Sequence, residues 1–245
     1  MKFTVEDETG APVEFECPET IASRWTCGAI LEDRTYPLLP FVDGVTVALD
    51  VGSNCGAMAM HLARHYPGAT VHAFEPGAEA RGYLERNTAD LPSVVVHPFG
   101  LAAADATATL YLDAGDIGQA SVLAPTGDGH HTEQVEIRSA AGWAAEAGIG
   151  QIDILKVDVE GCEVKVLEGL ADLLPTVKVL YVEYDSRVAR RAIEALLAPT
   201  HELYLAMLMA LDQGECMYVR KDVADHPLAV DRLRAIFSRA LDRSA

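Results

Sequence analysis

Val45-Thr46-Val47-Ala48-Leu49-Asp50-Val51-Gly52-Ser53-Asn54-Cys55-Gly56 decides the fold of this 245-residue chain. Its first seven residues are almost continuously apolar, the signature of a strand buried on both faces. Gly52 then permits a tight turn, and Gly56 lets a helix start close to a ligand without a side chain in the way. That helix is predicted over 55–65 and is ended by Pro67-Gly68.

Working outward, the same alternation repeats. A strand at 70–74 precedes a helix at 78–87, and a third strand lies at 94–97. Strands at 152–158 and 177–184 are followed by helices at 164–173 and 187–197, and two last strands lie at 203–206 and 216–220. Strands alternating with helices imply a doubly wound, mostly parallel α/β sheet that binds its ligand at the carboxyl ends of the strands. Short strands at 107–112 and 135–138 flank a loop holding Gly127, Gly129, His130 and His131, and 140–147 is predicted helical. Residues 1–40 are expected to form an N-terminal extension packed on a core domain at 41–222, with a strand-like start and a helix at 21–32. Leu233, Ile236, Phe237 and Ala240 recur at helical spacing, so 223–245 is expected to be a helix packed on the core, with a homodimer contact as its other use.

The chain carries 19 Lys and Arg against 37 Asp and Glu, a formal net charge of −18. That balance argues against nucleic acid or an anionic membrane as partner, because phosphates are contacted mainly by Lys and Arg. Arg187, Arg190 and Arg191, the densest basic group, are expected on the solvated face of a helix. Five cysteines (Cys17, Cys27, Cys55, Cys162, Cys216) show no Cys-x-x-Cys spacing, which fits free thiols in a reducing cytoplasm. No apolar run approaches the ~20 residues of a membrane span.

The chemistry is expected just after the strands. The glycines of the first turn are four apart with Asn54 between them, unlike the Gly-x-Gly-x-x-Gly that accommodates a pyrophosphate. Asp50 suits an ammonium and disfavours a pyrophosphate. Glu75, in Phe74-Glu75-Pro76, stands about 20 residues beyond the turn, where a carboxylate accepts hydrogen bonds from ribose hydroxyls. A ligand with a ribose and an amino-acid end fits S-adenosylmethionine better than a nicotinamide cofactor. In Leu155-Lys156-Val157-Asp158-Val159-Glu160-Gly161-Cys162-Glu163, Lys156 and Asp158 point to the same face of a strand. Charges there are costly unless paired or used. Asp158 is placed near the reacting group, with Glu160 and Glu163 bordering the crevice. Glu183 ends the next strand, and with Asp158 it is a candidate to hold a divalent metal or to orient a substrate hydroxyl. His61 and His65, one turn apart, are read as surface residues, and His130-His131 as a lesser candidate for a general base.

These stretches together, with Val166-Leu167-Glu168-Gly169 and Tyr181-Val182-Glu183, resemble the FkbM-family methyltransferases over roughly residues 36–220. The resemblance implies a seven-stranded sheet with its last strand antiparallel. It also implies transfer of a methyl group from S-adenosylmethionine to a hydroxyl of a sugar, polyketide or other specialised metabolite. By the same likeness, Asp50, Gly52, Ser53, Asn54, Gly56, Glu75 and Pro76 bind the cofactor, Tyr36 covers its methionine end, and Asp158 lies where the methyl moves. Lys156, Glu160 and Glu183 complete the expected catalytic set. One departure is visible: relatives carry a Leu-Asp pair where this chain has Arg138-Ser139-Ala140-Ala141-Gly142-Trp143. The other activities considered are N-methylation of a small amine and nicotinamide-dependent redox chemistry. The expected partner is a small hydroxylated molecule.

Overall fold

Strands apolar on both faces need cover on both faces, and the chain supplies it by alternation. The computed structural model describes residues 1–7, 9–113, 116–121 and 131–242. In chain order these form β1 (Lys2–Glu6), β2 (Pro12–Glu16), α1 (Ile21–Leu31), β3 (Val47–Val51), α2 (Ala57–His65), β4 (Thr70–Phe74), α3 (Ala78–Asn87) and β5 (Val94–His97). There follow β6 (Gly100–Ala102), β7 (Ala106–Asp113), β8 (Asp116–Ser121), β9 (His131–Ser139), α4 (Ala140–Glu146), β10 (Ile154–Val157) and α5 (Glu163–Gly169). The chain closes with β11 (Val179–Tyr184), α6 (Arg187–Leu197), β12 (His201–Leu208), β13 (Gly214–Arg220), α7 (Lys221–Ala224) and α8 (Ala229–Asp242).

Seven strands make the main sheet in the order β12-β13-β11-β10-β3-β4-β5. All neighbours from β11 to β5 are parallel, while β13 runs antiparallel to both β11 and β12. The chain winds from β3 outward to β5, then returns to lay β10 on the other side of β3. The strand order therefore reverses between β3 and β10, which is where a doubly wound sheet opens a ligand crevice. Alternate side chains fill two cores. Ala48, Ile154 and Tyr181 face one core with α2 and the N-terminal segment, and Leu49, Val51, Leu155 and Val157 face the other with α4 to α6.

Asp153 fixes the register of the central strands. Its Oδ2 accepts from Thr46 N (2.8 Å), Thr46 Oγ1 (2.9 Å) and Val47 N (3.1 Å), and its Oδ1 lies 2.9 Å from Lys178 Nζ. One buried carboxylate thus ties the starts of β3, β10 and β11, so their carboxyl ends arrive together.

The segment between β5 and β10 is richer in strands than its sequence suggests. The predicted strands at 107–112 and 135–138 are longer, as β7 and β9, and β6 and β8 join them in a four-stranded sheet ordered β6-β9-β7-β8. Gly127, Gly129 and His130 lie outside the described residues, while His131 opens β9 and is exposed. Helix α5 stops at Gly169 rather than continuing to 173, and only glycine fits at that position, since a Cβ there would lie 2.7 Å from the Ala102 carbonyl oxygen. His61 is not a surface residue. It is 3% exposed and its Nε2 lies 3.3 Å from Asp33 Oδ1, because α2 packs under α1 and turns that face inward. Asp33 also receives Arg232 of α8 (2.5 Å), whose guanidinium donates to Leu38 O as well, so the C-terminal helix is held on the segment that precedes β3.

Candidate active site

Beyond Val51 the backbone enters the left-handed region at Gly52 (φ +80), Asn54 (φ +47) and Gly56 (φ +88). The demand at Gly52 is absolute: a Cβ would fall 1.8 Å from the backbone oxygen of Asp158. The turns after β3 and β10 are thus interlocked across the switch point. At Gly56 a Cβ would approach Leu84 Cδ1 to 2.6 Å, so that glycine lets α2 pack on α3. The turn is held from the β4 side: Gly52 N and Ser53 N donate to Phe74 O, and Asn54 N donates to Glu75 Oε2 at 2.8 Å. Glu75 Oε1 accepts from Gly77 N at 2.8 Å. Burial pushes the Glu75 carboxyl up to about 7, against the pull of those two N–H groups. Each oxygen keeps a second lone pair for a hydroxyl donor.

The charges gather at the ends of β3, β10, β11 and β13. Lys156 is 4% exposed, and its ammonium lies 3.5 Å from Asp50 Oδ1 and 3.4 Å from Asp158 Oδ2 and donates to Gly52 O at 2.5 Å. Burial alone would lower the Lys156 pKa, but Asp158 and Asp50 outweigh it and raise it. Asp50 is fully buried and neither of its oxygens has a hydrogen-bond partner, so its carboxyl is pushed up by burial. It acts on Lys156 from behind rather than lining the open crevice. Asp158 also accepts from the Tyr36 hydroxyl at 3.1 Å. Burial opposes ionisation of Asp158, yet Lys156, Glu183 and Tyr36 together hold its pKa below the ordinary value. Glu183 shows the complement: burial and the Asp158 charge push it up to about 10. The two carboxyls share one proton, which rests on Glu183 at neutral pH. Glu160, at a left-handed φ of +54, is pushed up to about 7 by burial and by Asp158. Asp158, Glu160 and Glu183 can each bring a carboxylate oxygen within 4.8 Å of the others, the geometry of a hard-cation ligand set.

A cavity of about 810 Å³ joins these parts, within the range that holds a small molecule. Gly52, Ser53, Asn54, Glu75 and Pro76 line one end, and Tyr36, Lys156, Asp158, Glu160 and Glu183 line the middle. The structure therefore brings together the residues expected from the sequence, except that Asp50, Gly56 and Glu163 stand behind the wall; Glu163 is buried in the turn after β10, where its Oε1 accepts from Val159 N and Gly161 N. Other parts of the wall escape the sequence, among them Met209 and Gln213 in the turn between β12 and β13. Glu215 of β13 has its carboxyl pushed up to about 7 by burial and by Asp158. Trp25, Thr26 and Cys27 come from α1, and a run from Leu101 to Ala108 comes from the smaller sheet. A carboxylate beginning an otherwise apolar strand is the one local signal for Glu215. At the departure, Ser139 caps α4 by accepting from Gly142 N, Arg138 lies over the Phe99 ring (4.9 Å), and Trp143 packs edge-on against Phe74.

A doubly wound sheet of this order, with a glycine turn after its first central strand and a carboxylate at the end of the next, defines a Rossmann-like fold of the methyltransferase type. The chain belongs to the family of the methyltransferase FkbM domain, whose model matches residues 50–218. It is 29% identical over 163 residues to Methyltransferase 1 of Beauveria bassiana, a match covering 58% of this chain and 65% of that protein, just under two thirds of its length. It is 28% identical over 178 residues to the 2-O-methyltransferase NoeI of Sinorhizobium fredii, covering 64% of this chain and 72% of that one. Among solved structures, the Methanococcus jannaschii fibrillarin pre-rRNA processing protein superposes with a TM-score of 0.50 at 12% identity, covering 90% of this chain and 83% of that one, a likeness of fold alone. Among the described residues, no helix is long and apolar enough to cross a membrane.

Proposed function

We propose that the protein methylates a hydroxyl group of a small acceptor, a sugar or other specialised metabolite. The observation that carries this reading is the geometry at the cavity wall, where Lys156 Nζ lies 3.4 Å from Asp158 Oδ2, the Tyr36 hydroxyl donates to the same oxygen at 3.1 Å, and Glu183 lines the wall with them. S-adenosylmethionine supplies a methyl group on a positively charged sulfur, already electrophilic. What remains for the protein is to hold a hydroxyl oxygen in line and to receive its proton. Asp158 is the base: Lys156 and Tyr36 keep it ionised and fix one of its oxygens. Glu183 donates its hydrogen to Asp158 and so orients it. The cofactor end is assigned to Asn54 and Glu75 for the ribose, with Tyr36 over the methionine portion. An oxygen acceptor is supported by the name of the NoeI relative. This reading does not depend on a divalent cation at the Asp158, Glu160 and Glu183 oxygens.

The test is release of S-adenosylhomocysteine during incubation with a panel of hydroxylated sugars and polyketides, with product mass as the second readout. Asp158→Asn is expected to lower turnover by about 100-fold or more while leaving S-adenosylhomocysteine affinity within about tenfold. Glu183→Gln, which copies the protonated acid, is expected to retain most activity near pH 7. Full activity in Asp158→Asn would overturn the assignment of the base.

A further inference from the structure

We propose that Glu215 is a specificity-determining residue that selects an acceptor bearing an ammonium group beside the hydroxyl, an amino alcohol in the broad sense. This rests on the function proposed above and names the substrate class of the same site. Glu215 of β13 stands directly opposite Glu183 of β11 in the antiparallel register, and both line the cavity. Residues so opposed project from one face with Cβ atoms about 5 Å apart, so the Glu215 carboxyl and the protonated Glu183 offer neighbouring oxygen acceptors that a single cation can join.

No protein cation does so. Among the described residues Glu215 has no ion-pair or hydrogen-bond partner. Lys156, the buried lysine of the wall, already serves Asp50, Asp158 and Gly52 O. Lys165, the other lysine that lines the cavity, is exposed on α5. A metal ion would not complete the wall either, because the oxygens with ligand spacing belong to Asp158, Glu160 and Glu183 and leave Glu215 outside. The cofactor's α-ammonium belongs to the methionine end assigned to Tyr36, and its sulfonium lacks N–H or O–H donors, so it cannot bridge two carboxyl groups by hydrogen bonds. A primary ammonium can: it brings three donors and one positive charge. The remaining wall, from Ala102 to Ala108 and Trp25, is largely small or apolar and suits the carbon frame of the acceptor.

The experiment is calorimetry on the whole protein saturated with S-adenosylhomocysteine, so that no methyl is transferred and binding is read alone. The probes are trans-2-aminocyclohexanol, its N-acetyl derivative and cyclohexane-1,2-diol. The amino alcohol is expected to bind about tenfold tighter than either neutral probe, the size of one charge-assisted hydrogen bond. In Glu215→Gln that preference is expected to fall below threefold, with Glu215→Asp intermediate and Glu202→Gln, an exposed control on β12, unchanged. S-adenosylhomocysteine affinity within twofold of wild type shows that Glu215→Gln keeps its fold. Equal binding of the three probes, no binding of any, or a preference that survives in Glu215→Gln overturns the inference and leaves O-methylation standing. Loss of turnover on every hydroxylated acceptor, with the amine preference intact, overturns O-methylation instead.

Discussion

Lys156→Met removes the one buried cation of the site while nearly keeping its length and packing, and its cost follows from two distances. The ammonium lies 3.5 Å from Asp50 Oδ1 and 3.4 Å from Asp158 Oδ2. At an effective dielectric near 20, each contact contributes about 5 kcal/mol before desolvation. Burying three charges costs several kcal/mol per ion, so the intact network nets little. Removing only the cation is different, because Asp50 stays fully buried without a partner and half-buried Asp158 keeps only Tyr36 and Glu183. That asymmetry is worth about 3–5 kcal/mol, a large part of a total stability of about 5–15 kcal/mol. The penalty depends on pH, and its sign is fixed. In the wild type, burial pushes Asp158 up but Lys156, Glu183 and Tyr36 pull it below its ordinary value. That carboxylate therefore adds stability above the ordinary Asp range and loses it as pH falls through the lowered pKa. In the variant the largest downward pull is gone, so the folded state retains protons that the unfolded chain releases above about pH 4. Variant stability then falls as pH rises, and the gap to wild type widens between pH 5 and pH 8. Urea unfolding at those two pH values, followed by far-UV circular dichroism, measures it. A gap below about 1 kcal/mol, or one that narrows with rising pH, would refute the central role given to Lys156.

Gly52→Ala sets a Cβ 1.8 Å from the Asp158 carbonyl at φ +80, where backbone strain and overlap together are expected to cost about 3 kcal/mol or more. Gly68→Ala, with open space around its Cβ, should shift the urea midpoint hardly at all, and equal midpoints for the two variants would contradict the interlocked turns. Tyr36→Phe deletes the 3.1 Å hydrogen bond to Asp158 and so raises the pKa of the base. The acid limb of the pH–rate profile is expected to move up by about one unit, with little change above pH 8. An acid limb that stays in place would separate Tyr36 from the base.

Much of the site is legible in the chain because its chemistry sits at strand ends, and strand ends can be read. Apolar runs at β3, β10 and β11 announce buried parallel strands, and Asp50, Asp158 and Glu183 close them. The sheet topology then brings Asp158 and Glu183 together without further information. What the sequence hides is set by pairing. His61 looks like a helix-surface residue until Asp33, 28 positions earlier, is packed against it. The depth of Asp50, behind Lys156 rather than on the wall, depends on how closely the β3 and β10 turns interlock.

Glu215 is the sharpest case. Alone it is one acidic residue at the start of a strand, no different in kind from Glu202 near the start of β12. Its meaning comes from the register of β13 on β11, which sets it opposite Glu183 at the cavity wall. On its other edge β13 pairs with β12, which carries a bulge between Leu203 and Leu205. A one-residue slip would turn Glu215 to the other face. In the proposed reading the cofactor end of the site is written in contiguous motifs, Gly52 to Asn54 and Glu75-Pro76. In the same reading the acceptor end is assembled from α1, β13 and the small sheet, elements distant in sequence from the glycine turn. If acceptor choice is vested in such separable walls, exchanging Glu215 should change which molecule is bound while the cofactor is held as before.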